Sequence, residues 1–166
     1  MLIEPTVHGD NRGYFIETFK QDQLDEAIGY KVNFIQDNES KSLKGVLRGL
    51  HYQLPPYTQA KLVRVIEGSV MDVAVDIRKS SPTFGHYVSV ELTAQNKYQL
   101  FVPHGFAHGF VVLSDSATFA YKVDNYYAPE HEMGISFDDE QLDINWGLPY
   151  EILQISDKDR QLSSLD

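Results

Sequence analysis

The chain has 166 residues, no cysteine and a formal net charge of −10. A chain of this length can bury a core as one domain, predicted here to span residues 1–166, without disulfides or a thiolate metal site. The acidic charge disfavours nucleic-acid binding, and the sequence contains neither a membrane-length apolar run nor the features of a signal peptide, so we expect a cytoplasmic protein.

The first predicted element is a short helix, and the elements after it are strands. DQLDEAIG (22–29) carries Leu24, Ala27 and Ile28 on one side and ends in glycine, as short helices often do. Later stretches alternate between apolar and polar residues, which is typical of strands. They are KLVRVIE (61–67), VMDVAVDI (70–77), YVSVEL (87–92), QLFVPHGFAHGFVVLSD (99–115) and ATFAYKVDNYY (117–127).

The alternation in VMDVAVDI also indicates which residues share a face. Its apolar residues at 71, 73, 75 and 77 face one way, whereas Asp72 and Asp76 face the other. The pair Gly68-Ser69, just before it, predicts a hairpin turn from the preceding strand. Short strands separated by turn residues, with no βαβ unit, predict an all-β sandwich or barrel, in particular a jelly roll with one or a few short helices.

Two histidine motifs raise the question of a metal site. Gly45…His51 and the Pro-x-Gly-x-x-His spacing that ends at His108 resemble motifs of cupin barrels. A metal-binding cupin would supply a second histidine at position 53 and a carboxylate soon after, but this chain has Gln53 and then apolar and tyrosine residues. Two imidazoles alone make a poor transition-metal site, so we predict no metal and no cofactor.

Two side chains have both a structural and a chemical interpretation. His51 is either a core histidine bonded to a neighbour or a proton-transfer group near the cations Arg48 and Lys61. Strict alternation puts Arg48 and His51 on opposite faces of a strand, whereas a bulge at Gly49 would bring both inward. Tyr121 is either a buried tyrosine or a phenol in the barrel mouth that can give a proton.

Seven motifs, in order and nearly from end to end, resemble the dTDP-4-dehydrorhamnose 3,5-epimerase family. They are GDNRGYFIETF, FIQDNESKS, GVLRGLHYQ, KLVRVIEGSVMDVAVDIRKSSPTFG, FVPHGFAHGFVVLSD, YKVDNYYAPEHEMGI and SDKD. The resemblance implies a cupin-like jelly-roll barrel and a metal-free reaction on dTDP-4-keto-6-deoxyglucose. It also implies a homodimer, often with the N-terminal segment exchanged between subunits.

The resemblance implies catalytic roles for four residues. His51 resembles the general base, and Asp159 resembles the carboxylate that orients it. Tyr121 resembles the general acid on the opposite sugar face, and Lys61 resembles the residue that stabilises charge on the C4 oxygen. The matching substrate-binding positions are Arg12, Glu17, Gln36, Asp37, Asn38, Arg48, His108, Tyr127 (which resembles the aromatic that stacks on thymine), Glu132 and Lys158.

Three alternatives stay open at this point. The first is a 3-epimerase that acts at one centre of a dTDP-4-keto-6-deoxyhexose, and the second is a non-catalytic sugar-binding cupin. An acid–base set of His51, Tyr121 and Asp159 argues against the second, since a binding protein has little need of one. The third is a metal-dependent cupin enzyme, which Gln53 weakens. His104 is interpreted as an exposed loop histidine, and Asp138 and Asp139 receive no role.

Overall fold

A computed structural model describes residues 1–165, most of which form strands and the turns between them. The N-terminal strands are β1 (Leu2–Ile3), β2 (Val7–Asp10) and β3 (Gly13–Ile16), followed by the helix α1 (Gln21–Ile28). The next strands are β4 (Gln36–Leu43), β5 (Val46–Gln53), β6 (Lys61–Glu67), β7 (Ser69–Asp76), β8 (Tyr87–Thr93), β9 (Gln99–Val102), β10 (Phe106–Val112) and β11 (Ser116–Val123). The C-terminal part adds β12 (Glu132–Gly134), β13 (Gln154–Ile155) and 3-10 turns at Pro129–His131, Tyr150–Ile152 and Asp159–Gln161.

These strands form two sheets that face each other. One has five strands in the order β1-β9-β6-β11-β4, and the other has six, in the order β12-β5-β10-β7-β8 with β13 paired to β5. β2 and β3 form a separate hairpin. The core between the sheets joins apolar side chains of both, for example Val63 and Phe119 from one and Val70 and Phe110 from the other. The all-β prediction is confirmed.

The predicted helix is confirmed to within one residue at each end. α1 ends at Ile28 and is capped by Gly29, whose φ of 82° suits glycine and whose N–H donates to the carbonyl of Asp25. Leu24 is its buried residue, and it packs with Leu62 and Phe101 on the outer face of the five-stranded sheet.

The predicted hairpin at Gly68-Ser69 is wrong. β6 pairs with β9 and β11, whereas β7 pairs with β8 and β10, so the turn carries the chain from one sheet to the other. Gly68 has a φ of 81° at this crossover. A tight turn between two alternating strands looks the same in sequence whether the strands pair or separate, and the jelly-roll topology separates them.

The alternation predicted for β7 is confirmed, and both of its faces are buried. Val73 and Val75 pack against the C-terminal segment, where Phe137 and Trp146 cover the outside of the six-stranded sheet. The opposite face, which carries Asp72, points between the sheets. Within residues 1–165 no helix has the length and apolar character needed to cross a bilayer.

Candidate active site

A bulge between β5 and β10 turns two functional side chains toward the same cavity. His51 lies opposite His108 and Arg48 lies opposite Phe110, so two residues of β5 fall opposite the single Gly109. Gly49 has a φ of 125°, and a Cβ there would lie 2.5 Å from Gly109 Cα. The bulge expected at Gly49 is therefore present, and both Arg48 and His51 line the cavity.

Two adjoining cavities meet at three side chains. The larger, of about 470 Å³, and the smaller, of about 300 Å³, are both lined by His51, Lys61 and Tyr121. These come from β5, β6 and β11, and hence from both sheets. The larger cavity is also lined by Arg48, His108, Lys158 and Asp159. The smaller is also lined by Gln36, Asn38, Tyr127 and Glu132.

His51 is bonded to the carboxylate that the sequence paired with it. Its Nε2 lies 2.7 Å from Asp159 Oδ1, and the N–H of Gly49 donates to Asp159 Oδ2 at 3.3 Å. Burial raises the pKa of Asp159, but the hydrogen bond with His51 and that residue's charge outweigh burial, so the pKa lies below its usual value. A carboxylate in this position holds the imidazole in one orientation.

Lys61 is an enclosed cation at the junction of the two cavities. Burial lowers the pKa of its ammonium group to about 8, and the negative charges of Asp72 and Glu132 oppose that decrease. A compact, desolvated ammonium group interacts with a nearby developing anion far more strongly than it would in water.

Tyr121 lines the cavity, as expected if its phenol acts as a proton donor. Its ring also packs against Phe119 of the core. Burial raises the pKa of its phenol, and the positive charge of Arg48 partly offsets this increase. Arg48 is itself held by the buried Ser42, whose hydroxyl accepts from Nε at 3.3 Å and from Nη2 at 3.2 Å. Tyr121 therefore has a cation near its hydroxyl group.

His108, which lines the larger cavity, belongs to a second imidazole–carboxylate pair, and sequence reasoning missed its carboxylate. The buried His108 lies with Nε2 3.0 Å from both carboxylate oxygens of Asp72. Asp72 is 0% exposed. The signal was present in VMDVAVDI, where Asp72 and Asp76 interrupt an otherwise apolar strand, but alternation alone does not tell an inward face from a solvent face.

Three predicted binding residues join at the mouth of the cavities. Lys158 Nζ donates to Glu132 Oε2 at 2.5 Å, and the hydroxyl of Tyr127 donates to the same oxygen. Burial raises the pKa of Glu132, but these hydrogen bonds outweigh burial and the pKa lies below its usual value. The Tyr127 ring is exposed, so one of its faces is free to stack on a ligand.

Three other predicted binding residues do not line either cavity. Arg12 forms an ion pair with Asp10 at the tip of the β2–β3 hairpin, and Glu17 lines a separate hollow beside α1. Asp37 is on the opposite face of β4 from Asn38, has a 74% exposed side chain and pairs with Lys122 at 2.8 Å. Within a single chain, these three side chains therefore lie outside the cavities that His51 lines.

Gln53, which stands where a metal-binding cupin would have a histidine, makes hydrogen bonds within the protein. The buried Gln53 donates to the carbonyls of Tyr57 at 2.6 Å and Tyr126 at 3.2 Å, and its carbonyl accepts from Ala128 N–H at 2.7 Å. Its amide therefore fastens two loops. Over residues 1–165 there is no group of three or more His, Asp or Glu side chains with the spacing of a metal site.

Three ionisable residues that received no role from the sequence also have partners. His104 is about half exposed and lies 2.7 Å from Asp124, whose hydrogen bond raises the pKa of the imidazole. The buried Asp139 accepts hydrogen bonds from the backbone of Gln141, Leu142 and Leu165 and so anchors the C-terminal segment. Asp138 accepts a hydrogen bond from the Ser136 hydroxyl.

Comparison with known proteins shows the family of the chain. The family model described as dTDP-4-dehydrorhamnose 3,5-epimerase matches residues 1–166. A curated epimerase of that name from Shigella flexneri is 58% identical over 159 residues, which are 96% of this chain and 87% of that protein.

Two solved structures superpose closely on the chain. The dTDP-4-dehydrorhamnose 3,5-epimerase from Elizabethkingia anophelis has a TM-score of 0.95 at 50% identity, with 98% of this chain and 89% of that chain covered. The dTDP-6-deoxy-D-glucose-3,5-epimerase from Legionella pneumophila, in complex with dTDP-4-keto-L-rhamnose, has a TM-score of 0.94 at 52% identity, with 99% and 86% covered. The predicted cupin-like jelly-roll barrel is confirmed.

Proposed function

The chain belongs to the dTDP-4-dehydrorhamnose 3,5-epimerase family, and we propose that His51, Tyr121 and Lys61 carry out its reaction. That reaction, an isomerisation, converts dTDP-4-dehydro-6-deoxy-D-glucose to dTDP-4-dehydro-L-rhamnose by inverting C3 and C5. The observation that carries the assignment is the meeting of these three side chains, from three strands, at the junction of two cavities.

The first step is removal of a proton from a carbon next to the C4 ketone. The ketone acidifies the protons at C3 and at C5, because either loss gives an enolate with its charge on the C4 oxygen. His51 is the base, since its imidazole lines both cavities and is held by the Asp159 carboxylate through one ring nitrogen, which leaves the other to take a proton. Asp159 orients the ring and stabilises the imidazolium that forms.

The enolate then requires a positive group beside its oxygen. Lys61 fills this role as a point charge that is already in place, so it stabilises the enolate more than the neutral ketone. Burial of this ammonium group strengthens the interaction because little water screens it.

Inversion is completed when a proton returns from the face opposite His51. The donor must therefore be a second group, and Tyr121 is the phenol that lines both cavities. The phenol gives its proton to the carbanionic carbon, and the resulting phenolate lies near the positive charge of Arg48. Proton transfer by a positioned group of this kind typically contributes about 10²–10⁴-fold to the rate.

The substrate diphosphate is bound, in this proposal, by cations at the cavity. The chain as a whole is acidic, so an anionic ligand needs a local positive group. Arg48 and Lys158 line the larger cavity beside Lys61, and the Arg48 guanidinium group suits paired hydrogen bonds to phosphate. Gln36, Asn38 and the exposed ring of Tyr127 line the smaller cavity and are proposed to contact the nucleotide.

A cytoplasmic homodimer completes the proposal. Arg12 and Glu17 are distant from the cavity in one copy, while Tyr14 and Phe15 on the same hairpin are exposed. An N-terminal segment exchanged with a second copy would cover these rings and deliver Arg12 to the partner's site.

Mixing the inactive variants Arg12→Ala and His51→Ala tests this exchange. In a mixed dimer with exchanged segments, one of the two sites has both Arg12 and His51 intact, so some activity should return. No recovered activity in proven mixed dimers would contradict it.

The proposed chemistry is tested by isotope exchange. The protein is incubated with dTDP-4-keto-6-deoxyglucose in D₂O, with His51→Ala as the control, and deuterium is located by NMR. Enzyme-dependent label at C3 and at C5 is the expected result. Label at C3 alone would indicate a single-centre epimerase, and bound ligand without label at either carbon would contradict the catalytic roles.

A further inference from the structure

A leucine near the C-terminus occupies the place that a side chain at Gly134 would take. A Cβ at Gly134 would lie 2.6 Å from Leu162 Cδ1 and 2.7 Å from Leu162 Cδ2. Non-bonded carbon atoms pack at about 3.5–4.0 Å, so the two methyl groups can lie there only because residue 134 has no side chain. Gly134 does not have a positive φ, so the space, and not the backbone conformation, requires glycine here.

This contact lies on the cavity side of the six-stranded sheet. Gly134 is the residue of β12 that pairs with His51 of β5, and directly opposite residues of an antiparallel pair point to the same face. Glu132, two residues before Gly134, lines the smaller cavity together with His51. Ile135 instead packs in the apolar cluster on the outer face. The Leu162 methyl groups therefore lie on the face that carries the proposed base.

Leu162 directly follows the turn from which Asp159 reaches His51. The 3-10 turn spans Asp159–Gln161, and the N–H of Leu162 donates to the carbonyl of Asp159 at 3.4 Å. The next residue, Ser163, forms a parallel bridge just past the end of β12. The chain after the turn is thus joined to β12 by the backbone of Ser163 and by the side chain of Leu162, and these contacts set the distance of the turn from His51.

We propose that Gly134 and Leu162 are positioning residues, whose contact holds the turn at the distance at which Asp159 bonds His51. The missing side chain at 134 lets the Leu162 methyl groups lie against β12. The contact that depends on them, between Asp159 Oδ1 and His51 Nε2, is 2.7 Å long. A displacement of about 1 Å in a catalytic arrangement can cost about 10²-fold in rate. The rate is affected only if Asp159 orients the base, and in that respect the inference rests on the proposed function.

The test uses Leu162→Ala, which removes the two methyl groups and adds no atom. Gly134→Ala is less suitable, because its Cβ would also lie 2.8 Å from the carbonyl of Leu50 on β5 and would disturb the sheet itself. Leu165→Ala is the matched control, since Leu165 is a partly buried leucine of the same segment that packs with the apolar cluster on the outer face. Leu162→Met is the conservative variant, because methionine fills a similar volume.

Hydrogen exchange, followed by NMR, shows whether the turn has moved. The reporter is the N–H of Gly49, which donates to Asp159 Oδ2 at 3.3 Å. The N–H of Ile135, which donates to the carbonyl of Leu50 at 2.9 Å, reports on the sheet around β12. In Leu162→Ala we expect the Gly49 amide to exchange about 10-fold faster or more, because its charged acceptor moves away, and the Ile135 amide to keep its rate. Equal increases at both amides would mean a loosened sheet and would overturn the inference.

Kinetics show whether Leu162 acts through Asp159. We expect kcat to fall by about 10–10²-fold in Leu162→Ala with KM nearly unchanged, and to be restored in Leu162→Met. In protein that already carries Asp159→Asn, Leu162→Ala should cause no further decrease, because a residue that acts only through a second residue has no effect once the second is removed. Leu165→Ala should keep the wild-type kcat.

Two further results would overturn the inference. One is unchanged exchange at Gly49 in folded Leu162→Ala, and the other is a decrease in kcat that Leu162→Ala causes equally with and without Asp159. Hydrogen exchange needs no substrate, so it separates this contact from the reaction. Faster exchange at Gly49, with kcat unchanged in both Leu162→Ala and Asp159→Asn, would support the positioning of Asp159 by Leu162 and contradict the role of Asp159 in the proposed function.

Discussion

His51 and Asp159 are 108 residues apart in the chain, and their side chains are joined by a contact of 2.7 Å. His51 lies in the middle of a sheet, whereas Asp159 begins a 3-10 turn near the C-terminus. Two contacts hold the carboxylate, one with His51 Nε2 and one with the N–H of Gly49, and the backbone N–H of Asp159 donates to Ser156 Oγ at 3.1 Å. The C-terminal segment therefore sets the orientation of the proposed base.

Asp159→Asn should lower kcat while leaving the fold and KM nearly unchanged. Asp159 is 3% exposed, and an amide in its place can no longer stabilise the imidazolium that forms when His51 takes a proton. We expect a decrease in kcat of about 10²–10⁴-fold. Steady-state kinetics of the coupled pathway assay measure it. Asp157→Asn, at an exposed carboxylate two residues away, is the control and should keep normal kinetics. A kcat within a few-fold of the wild type in Asp159→Asn would contradict the orienting role.

For several strands, their position in the chain and the residues that share a face were predictable from the sequence, because side chains alternate with a period of two residues. The regions of β6, β7, β8 and α1 were predicted nearly to their ends. Sheet membership was not predictable in this way. At Gly68-Ser69 the alternation continues on both sides of the turn, yet the two strands separate into different sheets, since pairing depends on partners far away in the chain.

Site residues that belong to a local sequence motif were predictable. Residues whose role depends on their position in the tertiary fold were not. GVLRGLHYQ indicated His51, and its Gly49 indicated the bulge that is found. Asp72 was missed because its burial depends on which face of β7 turns toward the second sheet. Arg12 was assigned from its motif alone, and in the described chain it lies on the β2–β3 hairpin outside both cavities, a position that no local pattern of the sequence indicates.

Tyr121→Phe should separate proton removal from inversion. The variant keeps the base and the cation, so deuterium should still enter at C3 from D₂O, while the rate of inverted product should fall by about 10²-fold or more. NMR of the sugar resolves both quantities in one experiment. Tyr126→Phe, at an exposed ring outside both cavities, is the control. If exchange and inversion decline equally in Tyr121→Phe, this tyrosine is not the distinct proton donor.

Asp76→Asn should lower stability in a pH-dependent manner. The Asp76 side chain is buried and accepts hydrogen bonds from Arg78, Ser81 and Thr83, and these hydrogen bonds hold its pKa well below the usual value despite burial. We expect a loss of about 2–4 kcal/mol in the free energy of unfolding at pH 7.

The sign of this dependence follows from a depressed carboxylate pKa. The stabilisation is complete above the unfolded-state pKa of about 3.9 and is lost as pH falls toward the folded-state value. The stability difference between wild type and Asp76→Asn should therefore be constant from pH 7 to about pH 5 and should begin to shrink below about pH 4. Urea unfolding at several pH values measures it, with the exposed Asp115→Asn as the control. A difference that stays constant below pH 4 would mean that Asp76 is not held in its ionised form.

Gly49→Ala should damage both the fold and the site. A Cβ at Gly49 would lie 2.5 Å from Gly109 Cα and 2.8 Å from the carbonyl of His108, at a φ that side chains rarely adopt. Overpacking and backbone strain together should lower the free energy of unfolding by about 3 kcal/mol or more. Activity should fall further than stability alone explains, since the bulge aims both Arg48 and His51.

Gly13→Ala separates the effect of backbone strain from the effect of overpacking. Gly13 has a comparable φ of 136°, but a Cβ there meets no atom within 4 Å. This variant should lose only the strain component, about 1–2 kcal/mol, and its cavity should stay intact. Urea unfolding and the D₂O exchange rate, measured on both variants, make the comparison. Equal losses of stability at the two positions would mean that the close approach of β5 and β10 is not what requires glycine, and retained exchange in Gly49→Ala would mean that the bulge does not position the base.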